Sequence, residues 1–198
     1  KTSLGVLSLL LITSCGAVND PSSDADAVIN ELTGRAIDGP MKNARCYVDL
    51  NNNDSEDSNE PTGMTDDNGY YKIDLGSIAL SDNMNVYCQG GTDIDTNEQL
   101  DDLVLAAKVP ENFDIKNNVL QNNPLTTLLS AVDTANEKTQ LLTQLGLDSV
   151  DANTLLTTDY YEKSSDTTIP SANKLQAQTV VKQFLQLSQT MLDMQKML

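Results

Sequence analysis

Histidine and tryptophan are both absent from the 198-residue chain, and only 4% of its residues are aromatic. Without histidine the protein cannot build a Ser-His-Asp triad, a Cys-His pair or an imidazole metal site. The sequence also contains no P-loop and no nucleophile elbow. These absences exclude the enzyme classes that depend on such groups, so we predict a protein that is not an enzyme and assign no catalytic residue.

Basic residues are scarce as well, with 12 Lys and Arg against 29 Asp and Glu, a formal net charge of −17. Nucleic-acid binding draws its affinity from Lys and Arg that displace counterions from phosphates. The charge balance therefore excludes nucleic acid as an expected partner. The hydrophobic fraction of 39% is enough for an ordinary core, and the length fits one domain or two small ones.

Long hydrophobic runs are also missing. The apolar stretch near the N-terminus, Leu4–Ile12, is too short for a bilayer-spanning helix of about 20 residues. A short apolar run behind a basic residue is typical of the core of a signal peptide. Since the chain begins at Lys1 and not at Met, we expect that the start of the reading frame lies upstream.

The residues after this run, Ile12-Thr13-Ser14-Cys15, resemble the lipobox of bacterial lipoproteins. The resemblance implies a lipoprotein signal peptide over residues 1–14 and a lipid anchor on Cys15. Gly16 in place of Asp implies the outer membrane of a Gram-negative bacterium, on its periplasmic or cell-surface side. The alternative is an ordinary secretory signal, and both alternatives predict an exported protein. Residues 15–30 are polar and predict a flexible tether.

Residues 31–110 contain short runs in which apolar and polar residues alternate, separated by turn residues such as Asp67-Asn68-Gly69. This pattern predicts the strands of a small antiparallel β-sandwich. Three apolar faces are expected to point into its core, formed by Ala44, Cys46, Val48 and Leu50, by Tyr71, Ile73 and Leu75, and by Met84, Val86 and Cys88.

Two cysteines remain if Cys15 is lipidated, and both Cys46 and Cys88 fall on predicted inward faces. In an exported protein such a pair predicts a disulfide. By closing a loop of about 40 residues it would contribute about 3–4 kcal/mol through the unfolded state. The alternative is two buried thiols.

A calcium loop is predicted over Asp49–Glu60, because oxygen-bearing residues occupy positions 1, 3, 5, 9 and 12 of a twelve-residue segment. Calcium takes six to eight oxygen ligands, and a late carboxylate closes the shell. The alternative is an acidic hairpin that binds no ion. The predicted ligands are the side chains of Asp49, Asn51, Asn53, Asp57 and Glu60 and the backbone carbonyl of Ser55.

The order of three motifs resembles the carboxypeptidase regulatory-like and SdrD B-like modules of bacterial surface proteins. These motifs are Leu32–Pro40, the acidic loop ending in Glu60-Pro61, and Thr65–Tyr71. The resemblance implies a prealbumin- or Cna-B-type β-sandwich with a structural calcium ion. Asp54 stands where the pattern has Gly, at a position that needs a left-handed backbone, so we expect a lowered calcium affinity.

A helical region is predicted over residues 111–198. Asn123 and Pro124 begin a helix to about residue 135, a second helix stops at Gly146, and a long helix starts near Ser171. The long helix has a heptad seam formed by Ala177, Val180, Phe184, Leu187, Met191, Met194 and Leu198. The seam predicts either a dimerising coiled coil or packing within the chain. We favour the second because neighbouring apolar residues widen the stripe.

Asp93 and Asp95 are a further acidic pair. They would serve as general acid and base, as an extension of a metal shell, or as a solvated turn. The turn is favoured because structural loop carboxylates outnumber catalytic ones.

The sequence therefore predicts an α+β fold, in which a small sandwich is followed by helices. Its predicted role is that of a lipid-anchored cell-envelope protein, a calcium-stabilised binding, adhesion or spacer module for an unknown protein or glycan. One alternative is the accessory region of an exported enzyme that processes carbohydrate or peptide. Another is a purely structural lipoprotein in which calcium is incidental.

Overall fold

The computed structural model describes residues 30–82 and 84–195. It confirms the predicted α+β class. The signal peptide, Cys15, the tether up to residue 29 and Leu198 lie outside the described residues. The strands are β1 (Glu31–Ala36), β2 (Met41–Lys42), β3 (Arg45–Asp49), β4 (Thr62–Met64), β5 (Tyr70–Asp74), β6 (Asn85–Gln89), β7 (Thr92–Asp93), β8 (Glu98–Gln99), β9 (Val104–Lys108) and β10 (Leu120–Asn122). The helices are α1 (Pro124–Ser130), α2 (Ala135–Gln144), α3 (Ala152–Thr157), α4 (Tyr160–Ser165) and α5 (Ser171–Gln195).

The strands form three small sheets. The largest has the order β4-β3-β6-β9 and is antiparallel throughout. The second has the order β10-β1-β5, in which β5 is antiparallel to β1 but β10 is parallel to it. A small third sheet pairs β7 with β2 and β8. Strand β10 lies beyond residue 110, so the chain returns to the sheets before its helices begin.

One hydrophobic core lies between the two larger sheets. The predicted inward faces supply much of it, since Ala44, Cys46, Val48, Tyr71, Ile73, Leu75, Val86 and Cys88 are all buried. Leu50 and Met84, at the ends of their runs, are only partly buried. Full burial of one large aliphatic side chain contributes about 1.5–3 kcal/mol, so these faces account for the sheets packing together.

The predicted disulfide is confirmed. Cys46 and Cys88 lie directly opposite each other in the β3–β6 register and are bonded to one another. The bond lies inside the core, because both cysteines are buried.

Helix boundaries follow local capping. Asn123 caps α1 as predicted, accepting from the backbone N–H groups of Leu125 and Thr126. The predicted extension of α1 to residue 135 is wrong: it ends at Ser130, and Thr134 caps α2 in a reciprocal contact with Glu137. The stop at Gly146 is confirmed by its φ of +70°. Helices α3 and α4 were not predicted, although Asp151 and Asp159 are their N-caps.

The first half of the α5 seam packs within the chain, as favoured. Ala177, Val180 and Phe184 are buried in a second core that also contains Leu129 of α1 and Tyr160 of α4. Met194, further along the seam, is 58% exposed. Among the helices described, none is both long enough and apolar enough to cross a membrane.

A buried cation joins the sheets to the helices. Arg35 of β1 is paired with Asp159, the N-cap of α4, and with Glu162 at 3.1 Å. Its guanidinium group lies 4.6 Å from the ring centroid of Tyr70 and 5.6 Å from that of Tyr161. The side chain of Arg35 is almost fully buried, so this pairing joins β1 to α4 away from solvent.

Candidate functional site

The predicted calcium loop connects β3 to β4, and its first residue organises its backbone. Asp49 is fully buried at the end of β3. Its Oδ1 accepts from the backbone N–H groups of Asn51, Asn52 and Asn53, at N–O distances of 3.2, 2.6 and 3.3 Å. Its Oδ2 accepts from the backbone N–H of Asp54 at 2.9 Å. One carboxylate therefore holds the first half of the loop in a tight turn.

The last residue of the loop closes it. Glu60 is 7% exposed, and its Oε1 accepts from the backbone N–H of Leu50 at 2.8 Å. Its Oε2 accepts from the backbone N–H of Asp57 at 3.0 Å. The carboxylate at position 12 thus bridges the start of the loop and position 9.

The side chains at positions 3, 5 and 9 meet at one atom. The Nδ2 groups of Asn51 and Asn53 both donate to Asp57 Oδ2, at 2.7 and 2.9 Å. The backbone N–H of Ser55 donates to Asn53 Oδ1 at 2.9 Å. The structure therefore brings together the side chains that sequence spacing selected.

The donor set fits calcium in its chemistry, since carboxylate, amide and backbone oxygens are the ligands that calcium prefers. It does not fit in orientation as it stands, because the two amides present Nδ2 to Asp57. A half-turn about the last torsion of Asn51 and Asn53, a broad two-fold rotor, would present Oδ1. In residues 30–82 and 84–195, no group of three or more Asp, Glu or Cys side chains is placed to hold a metal ion.

Position 6 adopts the left-handed backbone that the loop pattern requires. Asp54 has a φ of +59°, so the expected strain on a residue with a Cβ atom is present. Its Oδ1 accepts from the Tyr87 hydroxyl at 2.5 Å. That contact ties the loop to β6 and compensates part of the cost of the conformation.

Two tyrosines lie beside the loop, and sequence reasoning did not select them. The rings of Tyr47 and Tyr87 stack with centroids 5.4 Å apart. Burial, with the nearby charges of Asp49 and Glu60, raises the pKa of Tyr47 to about 12. Burial and the hydrogen bond to Asp54 also raise the pKa of Tyr87. Alternation places each tyrosine on the strand face opposite the predicted core, but only the β3–β6 pairing places the two opposite each other.

An ion pair also holds the middle of the loop. Arg45 of β3 binds Glu56 through two nitrogens, with N–O distances of 2.7 and 2.5 Å. Glu56 is not in the predicted ligand set. Because the pair is exposed, it contributes at most about 1 kcal/mol, and its main effect is to orient the loop.

The second acidic pair is engaged in structural contacts. Asp93 Oδ1 accepts from the backbone N–H of Asp95 at 2.9 Å, and its Oδ2 accepts from the Thr96 hydroxyl at 2.6 Å. Asp95 Oδ2 accepts from the hydroxyl of Tyr161 in α4 at 2.6 Å. These contacts, in the connection between β7 and β8, favour the turn interpretation over an acid and base.

Asp38 is a buried carboxyl group that sequence reasoning missed. It is 5% exposed, and its Oδ2 accepts from the hydroxyl of Ser188 in α5 at 2.5 Å. Its Oδ1 has no hydrogen-bond partner among the described residues. The contact spans 150 positions in the chain, which is why no local pattern indicates it.

The loop between β3 and β4 is therefore the best-organised candidate site, since buried carboxylates close both of its ends. Asp93, Asp95 and Asp38 serve contacts between elements. Comparisons of the chain with protein-family models, with curated proteins and with solved structures found no match.

Proposed function

We propose that the protein is a lipid-anchored component of a bacterial cell envelope, in which a calcium ion in the Asp49–Glu60 loop stiffens a β-sandwich used for binding, adhesion or spacing. The observation that carries this proposal is the meeting of Asn51, Asn53 and Asp57 at one oxygen atom. Asp49 and Glu60, both buried, close the same loop. The residues that would hold calcium are those six that the spacing selects.

Charge supports the proposal. The loop concentrates five carboxylates, at Asp49, Asp54, Glu56, Asp57 and Glu60, and among the described residues its one basic partner is Arg45. Like charges gathered in one short loop repel one another, and a pair 4 Å apart in water does so by about 1 kcal/mol. A divalent cation offsets that repulsion while it joins the end of β3 to the start of β4.

A permanent structural ion fits this setting better than a sensor. Calcium sites of extracellular modules have dissociation constants of about 10⁻⁴–10⁻³ M. At millimolar calcium outside the cell such a site is mostly occupied, and binding to the folded state alone raises its stability. The bound ion would then stabilise the connection between β3 and β4 and, through it, the sandwich.

A thermal melt with and without calcium tests the proposal. We expect millimolar calcium to raise the melting temperature of the wild type above its value in EDTA, and Glu60→Gln to remove the increase. Glu56→Gln is the matched control, because it lies in the same loop outside the ligand set. It should keep the increase. Asp57→Asn is a second test variant that should also reduce the increase, and its side chain is only partly buried.

Terbium luminescence gives a direct reading of the same site. The chain lacks tryptophan, so Tyr47 and Tyr87 beside the loop are the nearest sensitisers. We expect terbium emission on tyrosine excitation, lost on addition of calcium and lost in Glu60→Gln. Emission that survives in Glu60→Gln, or a melting temperature indifferent to calcium, would refute a calcium role.

The membrane anchor needs its own test, because Cys15 lies outside the described residues. The chain is expressed in a Gram-negative host behind an initiator Met and labelled with a fatty acid. We expect the label on the wild type and none on Cys15→Ser. A labelled Cys15→Ser protein, or an unlabelled wild type, would contradict lipidation of Cys15. Neither result would bear on the calcium proposal, which rests on a separate loop.

A further inference from the structure

The C-terminal half of α5 leaves the helical core and reaches the sheets. The first half is buried in the second core through side chains such as Val180 and Phe184. Further along, Met191 and Leu192 pack against the core between the two larger sheets, and both are only partly buried. The end of the helix, residues 188–195, is therefore held to the sheets by partly buried side chains, which is weaker support than the first half has.

One buried polar contact lies where this half of α5 meets the sheets. Asp38, in the turn between β1 and β2, and Ser188 of α5 are 5% and 4% exposed, and Asp38 Oδ2 accepts from the Ser188 hydroxyl at 2.5 Å. Asp38 Oδ1 is buried and has no hydrogen-bond partner among the described residues. Burial of an incompletely paired carboxylate is unfavourable, whereas a neutral carboxyl group keeps the bond to Ser188 at a smaller cost.

The groups that face this turn from β7 and the connection after it are acidic. A Cβ atom placed on Gly39 would lie 2.1 Å from Asp93 Oδ1 and 3.0 Å from Asp95 Oδ2, so both carboxylates lie against the residue that follows Asp38. Asp93 is buried like Asp38. From α4, the Tyr161 hydroxyl donates to Asp95, which is a neutral contact and adds no positive charge.

Among the described residues, no cation forms an ion pair with Asp38. Arg35 of β1 is engaged by the carboxylates at the start of α4, and Lys182 and Asp193 of α5 are exposed. Glu98 of β8 adds a further negative charge that acts on Asp38. Ionisation of Asp38 therefore places a buried charge beside like charges.

We propose that the contact between Asp38 and Ser188 is a pH-sensitive switch that controls how firmly residues 188–195 of α5 are held on the sheets. Neutral Asp38 keeps the buried contact, whereas ionised Asp38 favours an open state in which this end of the helix has left the sheet core and water reaches the carboxylate. The switch is separate from the Asp49–Glu60 loop and does not depend on calcium.

The direction of the switch follows from the pKa of Asp38. Burial raises this pKa against the lowering effect of the bond from Ser188, and the charges of Asp93 and Glu98 raise it further. A carboxyl group whose pKa is higher in the closed state stabilises that state at low pH, and the stabilisation is lost as the pH rises through the closed-state pKa. The end of α5 is therefore held in acid and loosened at neutral pH.

Amide hydrogen exchange of the intact protein in EDTA tests the switch. Comparison of the wild type with Asp38→Asn at the same pH cancels the intrinsic pH dependence of exchange, and Asn stays neutral while it keeps an acceptor for Ser188. At about pH 7.5 we expect amides in residues 188–195 to exchange about fivefold to tenfold faster in the wild type than in the variant. At about pH 4 the two should agree within about twofold. Amides in residues 177–184 should match at both pH values, because the second core holds them.

Two further variants show whether the neighbouring charges set the pH at which the helix end loosens. Glu98→Gln removes a negative charge that raises the pKa of Asp38, so the midpoint of the exchange profile should move to lower pH. Glu111→Gln, the matched control, removes an exposed charge that follows β9 and should leave the midpoint unchanged.

Three results would overturn the switch. The first is a ratio of wild-type to Asp38→Asn exchange rates that is the same at both pH values, since the helix end would then not respond to ionisation. The second is an equal acceleration along the whole of α5, which would show unfolding of the protein and not release of one end. The third is a midpoint that Glu98→Gln and Glu111→Gln move equally, which would show a general effect of net charge.

Discussion

At the scale of single residues, Asp49 combines full burial with four hydrogen bonds to backbone N–H groups. Its role in the fold is therefore independent of any metal. We expect Asp49→Asn to lower the free energy of unfolding by about 2–3 kcal/mol in EDTA, since bonds to a charged acceptor are lost and an amide N–H then faces other donors. Urea denaturation measures the change. Asp57→Asn, whose partners are exposed, should cost much less, and equal costs would contradict this account.

The contribution of Asp38 to folding stability should depend on pH in the opposite direction to that of a carboxylate in an ion pair. Burial raises the pKa of its carboxyl group, against the effect of the hydrogen bond from Ser188, and the nearby charges of Asp93 and Glu98 add to the increase. A carboxyl pKa that is higher in the folded state than in the unfolded state means that the folded state binds the proton more tightly. The contribution to stability is therefore present at low pH and is lost as the pH rises through the folded pKa.

We accordingly expect Asp38→Asn to be more stable than the wild type at neutral pH, because it removes the charge but keeps a group that can bond to Ser188. At about pH 3, where both forms are neutral, the difference should disappear. Denaturation at the two pH values in EDTA measures this. A variant that is less stable than the wild type at neutral pH would show that the charged carboxylate is favourable where it stands.

At the scale of elements, Arg35 of β1 holds α4 in place through its bonds to Asp159 and Glu162. Its fork of N–H donors reaches Asp159, Glu162 and the backbone carbonyl of Asn68, the last at 2.9 Å. Lysine cannot reproduce that fork or its stacking on tyrosine. We expect Arg35→Lys to cost about 2–4 kcal/mol, since buried polar groups lose their partners, as measured by urea denaturation. Glu162→Gln, on an exposed partner, should cost less than about 1 kcal/mol.

Alternation of apolar and polar residues identified three of the ten described strands, and it did not identify the shortest elements. The alternation in 44–50, 71–75 and 84–88 identifies β3, β5 and β6 because each buries one face of a sheet. Strand β10 is three residues long and lies parallel to β1, so its pairing depends on a distant partner. Helices α3 and α4 have six residues each, too few for a 3.6-residue period to show.

At the scale of the whole molecule, excess negative charge opposes compactness. The net charge of −17 means that folding brings carboxylates closer together, and salt screens their repulsion. We expect the melting temperature to rise with sodium chloride in EDTA. Calcium at matched ionic strength should raise it further, and Glu60→Gln should lose only this second increment. A calcium increase no larger than that of sodium at equal ionic strength would reduce the effect to screening.

Spacing selected the Asp49–Glu60 loop as a candidate site because all of its predicted ligands lie within one segment. Contacts between distant segments could not be predicted from spacing. Tyr87 in β6 donates to Asp54 in the loop, and Ser188 in α5 donates to Asp38. Sequence therefore indicates a site when one loop builds it, and fails when the tertiary fold builds it.

The bond between Cys46 and Cys88 encloses the intervening chain, with the entire Asp49–Glu60 loop, in a covalent ring that spans 42 positions. Oxidation and the proposed calcium ion therefore act on the same segment. For the exported protein that we propose, a reducing cytosol poor in calcium provides neither, so a newly made chain would stay easier to unfold until it had crossed the inner membrane. We expect the reduced protein in EDTA to unfold much faster than the oxidised protein with calcium. Equal unfolding rates would show that export and maturation are not linked through this ring.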